Sequence, residues 1–154
     1  MATVPARVLA TVYASKPEDW HQHPNGAGWV HNTATVPESL YLHPSSIVGE
    51  GATVGEGATV GNWATVGEKT TWKTNPPQIQ GSRHILTLCS PTQIAVGCHV
   101  HDITHWQKHF KAIGKTEGYT REEIEEYGLH IDYLASLAPR FQDALPKKET
   151  EVSE

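Results

Sequence analysis

The chain has 154 residues, which is enough for one domain with its own core, and a formal net charge of −5 from 12 basic and 17 acidic residues. This balance argues against a nucleic-acid groove, which needs clustered lysine and arginine. The sequence has no long apolar run that would span a bilayer and no leader pattern at its start, so we expect a cytoplasmic protein without a membrane partner.

Residues 1–27 are predicted to form a strand followed by a loop. Aliphatic side chains alternate with other residues over positions 7–14, which is typical of a strand. Prolines and glycines then favour a loop over positions 16–28. Trp20 lies in that loop, and we expect its indole ring to pack against the rest of the protein.

Residues 28–75 contain a six-residue repeat, in which Ala-Thr-Val-Gly occurs three times in succession. An aliphatic residue recurs at every sixth position, and a tryptophan takes the last place: Val30, Val36, Leu42, Val48, Val54, Val60, Val66 and Trp72. A period of six suits strand segments with a corner at each glycine. Three such sides form a coil of eighteen residues, in which Val30, Val48 and Val66 stack. The alternative interpretation is an ordinary strand meander.

This repeat resembles the sequence pattern of the hexapeptide-repeat family. Residues 78–127 are similar to the C-terminal part of a bacterial and phage branch of that family, which has a helical C-terminal cap. The resemblance implies a mainly β fold, namely a short left-handed parallel β-helix (a hexapeptide solenoid) with a β-hairpin and two C-terminal α-helices. It also implies a homotrimer and an acyltransferase-like fold.

The chain after the repeat is predicted to contain three further parts. Apolar runs on either side of a Ser-Pro-Thr turn predict a hairpin extension over residues 76–101. Apolar residues spaced by three and four predict a two-helix cap over residues 102–139, in which Thr120 and Glu123 form a capping box. The polar composition of residues 140–154 predicts a disordered tail.

Ten histidines raise the question of a metal site. His105 and His109 are four residues apart and share one face of the predicted helix, and His101 lies just before it. Trp106 and Phe110 direct the other face of that helix to the core, which turns these histidines toward solvent. Since a metal needs three or four converging ligands, we predict no metal and no cofactor, with His101, His105 and His109 as weak candidates.

Residues 81–84, which follow the two prolines at the end of the repeat region, are a candidate anion site. A glycine-serine turn presents N–H donors, and an arginine adds a planar fork for phosphate or carboxylate. Exposed tryptophan rings offer a surface for a flat ligand. We predict a ligand site of six residues: Gly81, Ser82, Arg83, His84, Trp63 and Trp20. The alternative is that the turn is structural and that Arg83 pairs with the acidic helix face at residues 122–126.

The function predicted from these features is a non-catalytic homotrimer that sequesters a small anionic, nucleotide-like ligand. Because the resembling proteins occur in phage genomes, a phage-encoded protein that counteracts host nucleotide signalling is the expected setting. The alternative is a hexapeptide acyltransferase that uses an acyl-CoA donor, for which His43 is the candidate general base within the repeats. A purely structural oligomer is the third interpretation.

Overall fold

The computed structural model describes residues 3–97 and 99–145 of the chain. Its helices and strands follow one another in this order: α1 (Ala6–Leu9), a 3-10 helix (Pro17–Asp19), β1 (Trp20–Gln22), β2 (Trp29–His31), β3 (Ile47–Val48), β4 (Thr53–Val54), β5 (Thr65–Val66), β6 (Thr71–Trp72), β7 (Gln78–Gln80), β8 (Ile85–Ser90), β9 (Gln93–Val96), β10 (His99–Asp102), α2 (Ile103–Thr116), α3 (Arg121–Leu137) and a second 3-10 helix (Ala138–Ala144).

The repeat region forms short parallel strand pairs whose partners lie three six-residue units apart. Val30 of β2 pairs with Val48 of β3, which in turn pairs with Val66 of β5. The pair β4 and β6 follows the same offset. The three valines are buried, so the six-residue period of the sequence corresponds to a set of inward-pointing side chains in register.

A tight turn begins at the glycine of four repeat units. The N–H of the residue three positions further on donates to each glycine carbonyl, as in Ala64 to Gly61 at 3.1 Å. The third residue of three of these turns has a positive φ, at Gly51 (68°), Trp63 (66°) and Lys69 (58°). Glycine adopts that conformation freely, whereas a bulky side chain is strained there. Trp63 is therefore held in its conformation by its surroundings.

The predicted fold class is wrong, because the structure is an α/β arrangement and not a mainly β, left-handed hexapeptide solenoid. Within the described residues, three α-helices accompany three separate sheets, ordered β1-β2-β3-β5, β4-β6 and β10-β9-β8-β7. The first sheet is mixed, since β1 joins it antiparallel, the second is a parallel pair, and the third is antiparallel. The repeat units that form strands give only two or three strand residues each, and the units that start at residues 40 and 58 give none.

The N-terminal segment also differs from the prediction, because part of the expected strand at positions 7–14 is the short helix α1. Val8 and Val12 are both buried, in a small core with Trp20, Trp29 and Ile47. Val8 lies in α1 and Val12 in the turn segment that follows it. Their spacing of four residues suits such a helical turn as well as it suits a strand.

The C-terminal half is an antiparallel sheet with α2 and α3 packed against it. The hairpin expected from the apolar runs is formed by β8 and β9. Leu86, Ile94, Trp106 and Ile131 lie in the core between sheet and helices. The predicted capping box is confirmed, since Thr120 Oγ1 accepts from the Glu123 N–H at 3.1 Å and Glu123 Oε1 accepts from the Thr120 N–H at 2.8 Å.

The second 3-10 helix, Ala138–Ala144, extends into the segment 140–154 that was predicted as a disordered tail. The ring of Phe141 lies 5.6 Å from that of Trp72, and Ala144 is buried in the core of the repeat region. Positions 140–145 are thus folded against the repeat, and positions 146–154 lie outside the described residues. The division of the chain into five parts stays a prediction. Among the described residues, none of the helices has both the length and the apolar composition needed to cross a lipid bilayer.

Candidate ligand-binding site

Three of the six predicted ligand residues line one cavity of about 390 Å³, where the repeat region faces the antiparallel sheet. We call it the arginine cavity; its lining residues are Arg7, Ile47, Trp63, Thr65, Arg83, His84, Ile85 and Gly97. None of these described lining residues is acidic, although the whole protein carries a net charge of −5. The cavity is therefore a local region of positive charge on an acidic protein.

Arg7 reaches the cavity from α1. Its Nη1 donates to the carbonyl of Ser45 at 3.0 Å and its Nη2 to the carbonyl of Pro44 at 3.2 Å. A guanidinium has five N–H donors, and within the described residues Arg7 makes no other side-chain hydrogen bond and no ion pair. Partial burial lowers the pKa of Arg7 from its usual value, but an arginine side chain stays protonated in proteins. Arg7 thus has charge and donors available to an anion.

Trp63 places its ring beneath Arg7, with the guanidinium carbon 5.1 Å from the ring centroid. This is a cation–π contact, which orients the guanidinium plane. The Trp63 N–H donates to Ser45 Oγ at 2.8 Å, which helps to hold the positive φ of this residue. The side chain is 56% exposed, as the sequence predicts for a tryptophan at a corner. Strained, exposed residues of this kind occur preferentially at functional sites.

Arg83 comes from the other side of the cavity and has partners within the protein. Its Nη1 donates to the Gly118 carbonyl at 3.0 Å and lies 3.3 Å from Glu123 Oε1. The guanidinium carbon lies 4.6 Å from the centroid of the Tyr119 ring, and burial raises the pKa of that phenol to about 12. Arg83 therefore forms the ion pair with the acidic helix that was the alternative interpretation of this residue.

Comparison with known proteins adds no relative. No family model, no curated protein and no solved structure matches the chain. The resemblance to the hexapeptide-repeat family, with its acyltransferase-like fold and its bacterial and phage branch, is therefore corrected: the sheets are mixed and the strands short, and no match supports membership. Copies of Ala-Thr-Val-Gly specify a local strand and turn, and such a unit does not define a family.

The N–H donors of the predicted anion turn are already in use. Ser82 donates to Glu126 from its backbone N–H, at 2.9 Å to Oε2, and from its hydroxyl, to Oε1. These hydrogen bonds lower the pKa of Glu126 from its ordinary value. The N–H groups of Arg83 and His84 both donate to the hydroxyl of Tyr127, at 2.8 Å and 2.6 Å. The turn binds an anion, but that anion is a carboxylate of the protein itself.

Gly81 and Trp20 do not line the arginine cavity among the described residues. The N–H of Gly81 donates to the His84 carbonyl at 3.1 Å and closes the turn. Trp20 is docked as expected, at 6% exposure, and its indole N–H donates to Ser15 Oγ at 3.2 Å. Its ring meets the edge of His31 in the N-terminal core. Of the two tryptophans predicted to stack on a ligand, only Trp63 is placed to do so in this cavity.

The weak metal candidates form a row of neighbouring rings along β10 and α2. The ring centroids of His101 and His105 are 4.4 Å apart, and those of His105 and His109 are 4.6 Å apart. Burial and the neighbouring histidines lower the pKa of His101. Within the described part of the chain, no group of three or more His, Cys, Asp or Glu side chains is arranged to hold a metal ion.

Arg7 is the site residue that sequence reasoning missed. It lies 56 positions before Trp63 in the sequence, in a segment predicted as a strand, and one arginine there carries no pattern. The nearest local signal is Pro5, which lies two residues before Arg7 and directly precedes α1. That signal places a helix, but it does not indicate which distant residue the helix approaches.

Proposed function

We propose that this protein is a non-catalytic binder of a small anionic, nucleotide-like ligand, which it holds in the arginine cavity. One observation carries the proposal: two arginines and an exposed tryptophan ring line the same cavity, and no acidic residue is among its described lining residues. Guanidinium groups bind phosphate or carboxylate through paired N–H donors. A neighbouring indole face stacks on a flat ring such as a nucleobase.

Arg7 is the primary anion contact in this proposal, and Arg83 is the secondary one. Arg7 has no carboxylate partner among the described residues, so an anion can pair with its guanidinium without displacing an existing ion pair. Arg83 would have to share its charge with Glu123, 3.3 Å away. That pair is partly exposed, and such pairs contribute only about 0–1 kcal/mol. A phosphate can therefore compete with Glu123 for Arg83.

The histidine considered for acyl transfer is poorly placed for catalysis. His43 Nδ1 accepts from the Ser45 N–H at 3.0 Å and lies 2.6 Å from the Ser45 hydroxyl. That hydroxyl is buried and also accepts from the Trp63 N–H. A base whose free nitrogen is occupied in this way serves to hold the turn, because proton transfer needs direct reach to the substrate. This arrangement favours binding over acyl transfer.

Self-association completes the proposal. Tyr41 and Trp63 are large, exposed side chains on the repeat side of the molecule, and such residues are enriched at interfaces. We propose that the protein is a cytoplasmic homotrimer that sequesters its ligand. The phage setting depended on the family resemblance and is not carried further.

The test is calorimetric titration with mono- and cyclic nucleotides of the unmodified protein and of Arg7→Ala, Arg83→Ala and Arg140→Ala. Loss of a charge-assisted contact weakens binding roughly ten- to hundredfold, which we expect in full for Arg7→Ala and in part for Arg83→Ala. Arg140 is exposed and does not line the cavity, so its variant is the matched control. Light scattering of the same samples measures the mass and tests the trimer.

Two results would overturn the proposal. If no nucleotide of the panel gives a binding signal, the proposal of a nucleotide-like ligand is wrong. If the unmodified protein consumes an acyl-CoA, the acyltransferase alternative is supported. If Arg83→Ala lowers the melting temperature and leaves the affinity unchanged, Arg83 is only a structural partner of Glu123, and the anion contact falls to Arg7 alone.

A further inference from the structure

A second cavity, of about 100 Å³, lies between α2, α3 and the antiparallel sheet. We call it the helix cavity. Most of its lining is apolar and includes Val96, Trp106, Phe110, Ile113 and Ile131. Apolar cavities of this kind stay dry and accept apolar molecules, and one of about 150 Å³ takes benzene. By that comparison, the helix cavity has room for a group of roughly four carbon atoms.

The helix cavity and the arginine cavity share a wall formed by His84 and Gly97. Gly97 has a φ of 57° and no side chain, and the His84 ring lies 3.4 Å from the position that a Cβ on Gly97 would take. The imidazole ring of His84 and the bare backbone of Gly97 therefore lie against each other where the two cavities meet.

The ring of His84 can move without disturbing the fold. Its backbone is fixed, because its N–H donates to the Tyr127 hydroxyl and its carbonyl accepts from that hydroxyl. Its ring makes no hydrogen bond within the described part of the chain, and its aromatic neighbour there is Tyr119, at a centroid distance of 5.9 Å. His84 is exposed, and exposed side chains change rotamer on a fast timescale, so its ring is free to turn where the two cavities meet.

The two cavities have opposite chemistry. The arginine cavity offers positive charge, whereas the helix cavity offers apolar surface and one carboxylate, Glu117, which lies 3.4 Å from His99. An anion is attracted to the first and excluded from the second, and an apolar group is favoured in the second. A nucleobase would leave its polar edges unpaired in the helix cavity.

We infer that the ligand of the arginine cavity carries a compact apolar group that enters the helix cavity past the ring of His84. This inference rests on the proposed function, because it needs the anion to bind at Arg7 and Arg83. It narrows the ligand to a compound with an anionic phosphate or carboxylate group. The same compound carries a short, branched apolar group that is separate from the charged group.

The test compares methyl, isobutyl and octyl phosphate by calorimetric titration. Burial of three more carbon atoms should make isobutyl phosphate bind roughly ten- to hundredfold more tightly than methyl phosphate. Octyl phosphate should show no further gain, because its chain exceeds the cavity. Ile113→Phe fills the helix cavity and should abolish the isobutyl gain while leaving the affinity for methyl phosphate unchanged.

Ile103→Phe is the matched control, since Ile103 lies in the same helix and the same core but does not line the helix cavity. It should keep the isobutyl gain. A second measurement needs no variant: in the unmodified protein, the isobutyl methyl protons should give nuclear Overhauser contacts to the rings of Trp106 and Phe110. Absence of those contacts would overturn the inference even if Ile113→Phe failed to fold.

The remaining outcomes separate this inference from the proposed function. If nucleotides and methyl phosphate bind but isobutyl phosphate gains nothing, the helix cavity takes no part of the ligand and the proposed function stands. If the gain survives in Ile113→Phe, the apolar group lies elsewhere and the inference fails. If no phosphate and no nucleotide binds, the inference and the proposed function fail together.

Discussion

The two sides of the arginine cavity hold their arginines by different chemistry. On the repeat side, Arg7 is oriented by two backbone carbonyls and by the ring of Trp63. On the sheet side, Arg83 is oriented by the carboxylate of Glu123 and the ring of Tyr119. Carbonyls and aromatic rings position a guanidinium without neutralising it, whereas a carboxylate cancels its charge. The neighbours of an arginine therefore decide whether its charge is available to a ligand.

The same contrast extends to the backbone of the two sides. The sheet-side turn at Ser82 has its donors saturated by Glu126 and Tyr127. The repeat-side turn at Trp63 has a strained φ and a single side-chain acceptor, Ser45. The hydrogen-bonded and charge-compensated groups of this cavity are therefore on the sheet side, and the strained and uncompensated groups are on the repeat side. Four perturbations break or sharpen this comparison.

The largest effect is expected from disruption of the repeat side at its core. Val54 is 2% exposed and pairs with Trp72 in the β4–β6 sheet. Val54→Asp buries an unpaired carboxylate there and should cost several kcal/mol of unfolding free energy. Thr59→Asp is the control, since Thr59 is an exposed neighbour and should tolerate a carboxylate. Urea denaturation measures both; if Val54→Asp unfolds at the same concentration as the control, the buried register of the repeat is wrong.

The sheet side should break at Tyr127. Its hydroxyl accepts from two N–H groups, of Arg83 and His84, and donates to the His84 carbonyl. Tyr127→Phe leaves the two N–H groups without their partner, whereas the carbonyl keeps the Gly81 N–H. Each unpaired, partly buried donor costs about 1–3 kcal/mol, and we expect a loss of about 2 kcal/mol. Removal of the exposed hydroxyl contact in Ser82→Ala should cost less. Equal losses in the two variants would mean that the phenol does not organise this turn.

The sequence predicted local structure well where the signal is local. The capping box at Thr120 and the hairpin of β8 and β9 depend on residues a few positions apart, and both are present. The repeat identified the buried valines, such as Val48, because burial follows directly from periodicity. The fold class was wrong because periodicity within the repeat says nothing about how β1 or the C-terminal sheet attaches to the rest.

The site was predictable in part for a related reason. Residue type indicated that Trp63 would be exposed and that Arg83 would carry a positive charge near His84. Residue type could not show that Glu126 takes the donors of Ser82, because the two residues are 44 positions apart. Arg7 was missed for the same reason, because it is also far in sequence from the residues that it contacts. Charge compensation depends on distant contacts, and the sequence could offer the pairing of Arg83 with the acidic helix face only as an alternative.

Substitution of Trp63 should have a smaller effect, which raises or preserves the melting temperature and lowers the ligand affinity. Trp63→Asn replaces a bulky residue at φ 66° with one that tolerates this conformation. The melting temperature should stay equal or rise, because strain of about 1 kcal/mol is relieved. Ligand affinity should fall by about tenfold with the lost stacking surface. Thermal melts and nucleotide titrations on the same sample decide; a lower melting temperature with unchanged affinity would make Trp63 a structural residue.

The smallest expected effect is the pH dependence of the sheet side. Hydrogen bonds from Ser82 make the pKa of Glu126 lower in the folded protein than in the unfolded chain. The resulting stability is fully present above the ordinary glutamate pKa of about 4.3 and is lost as the pH falls through the lowered folded value. Glu126→Gln removes this titration and keeps an acceptor for Ser82.

The melting temperature of Glu126→Gln should therefore lie a few degrees or less below that of the unmodified protein at pH 7, since the carboxylate is partly exposed to solvent. The difference should shrink as the pH falls below about 4.3 and the carboxylate becomes protonated. His130, which lies 2.8 Å from Glu126, is present in both proteins, but it loses an ionised partner only in the variant. A His130→Gln background separates that contribution. A melting-temperature difference that stays constant from pH 7 to pH 3 would show that Glu126 acts on this turn by its shape rather than by its charge.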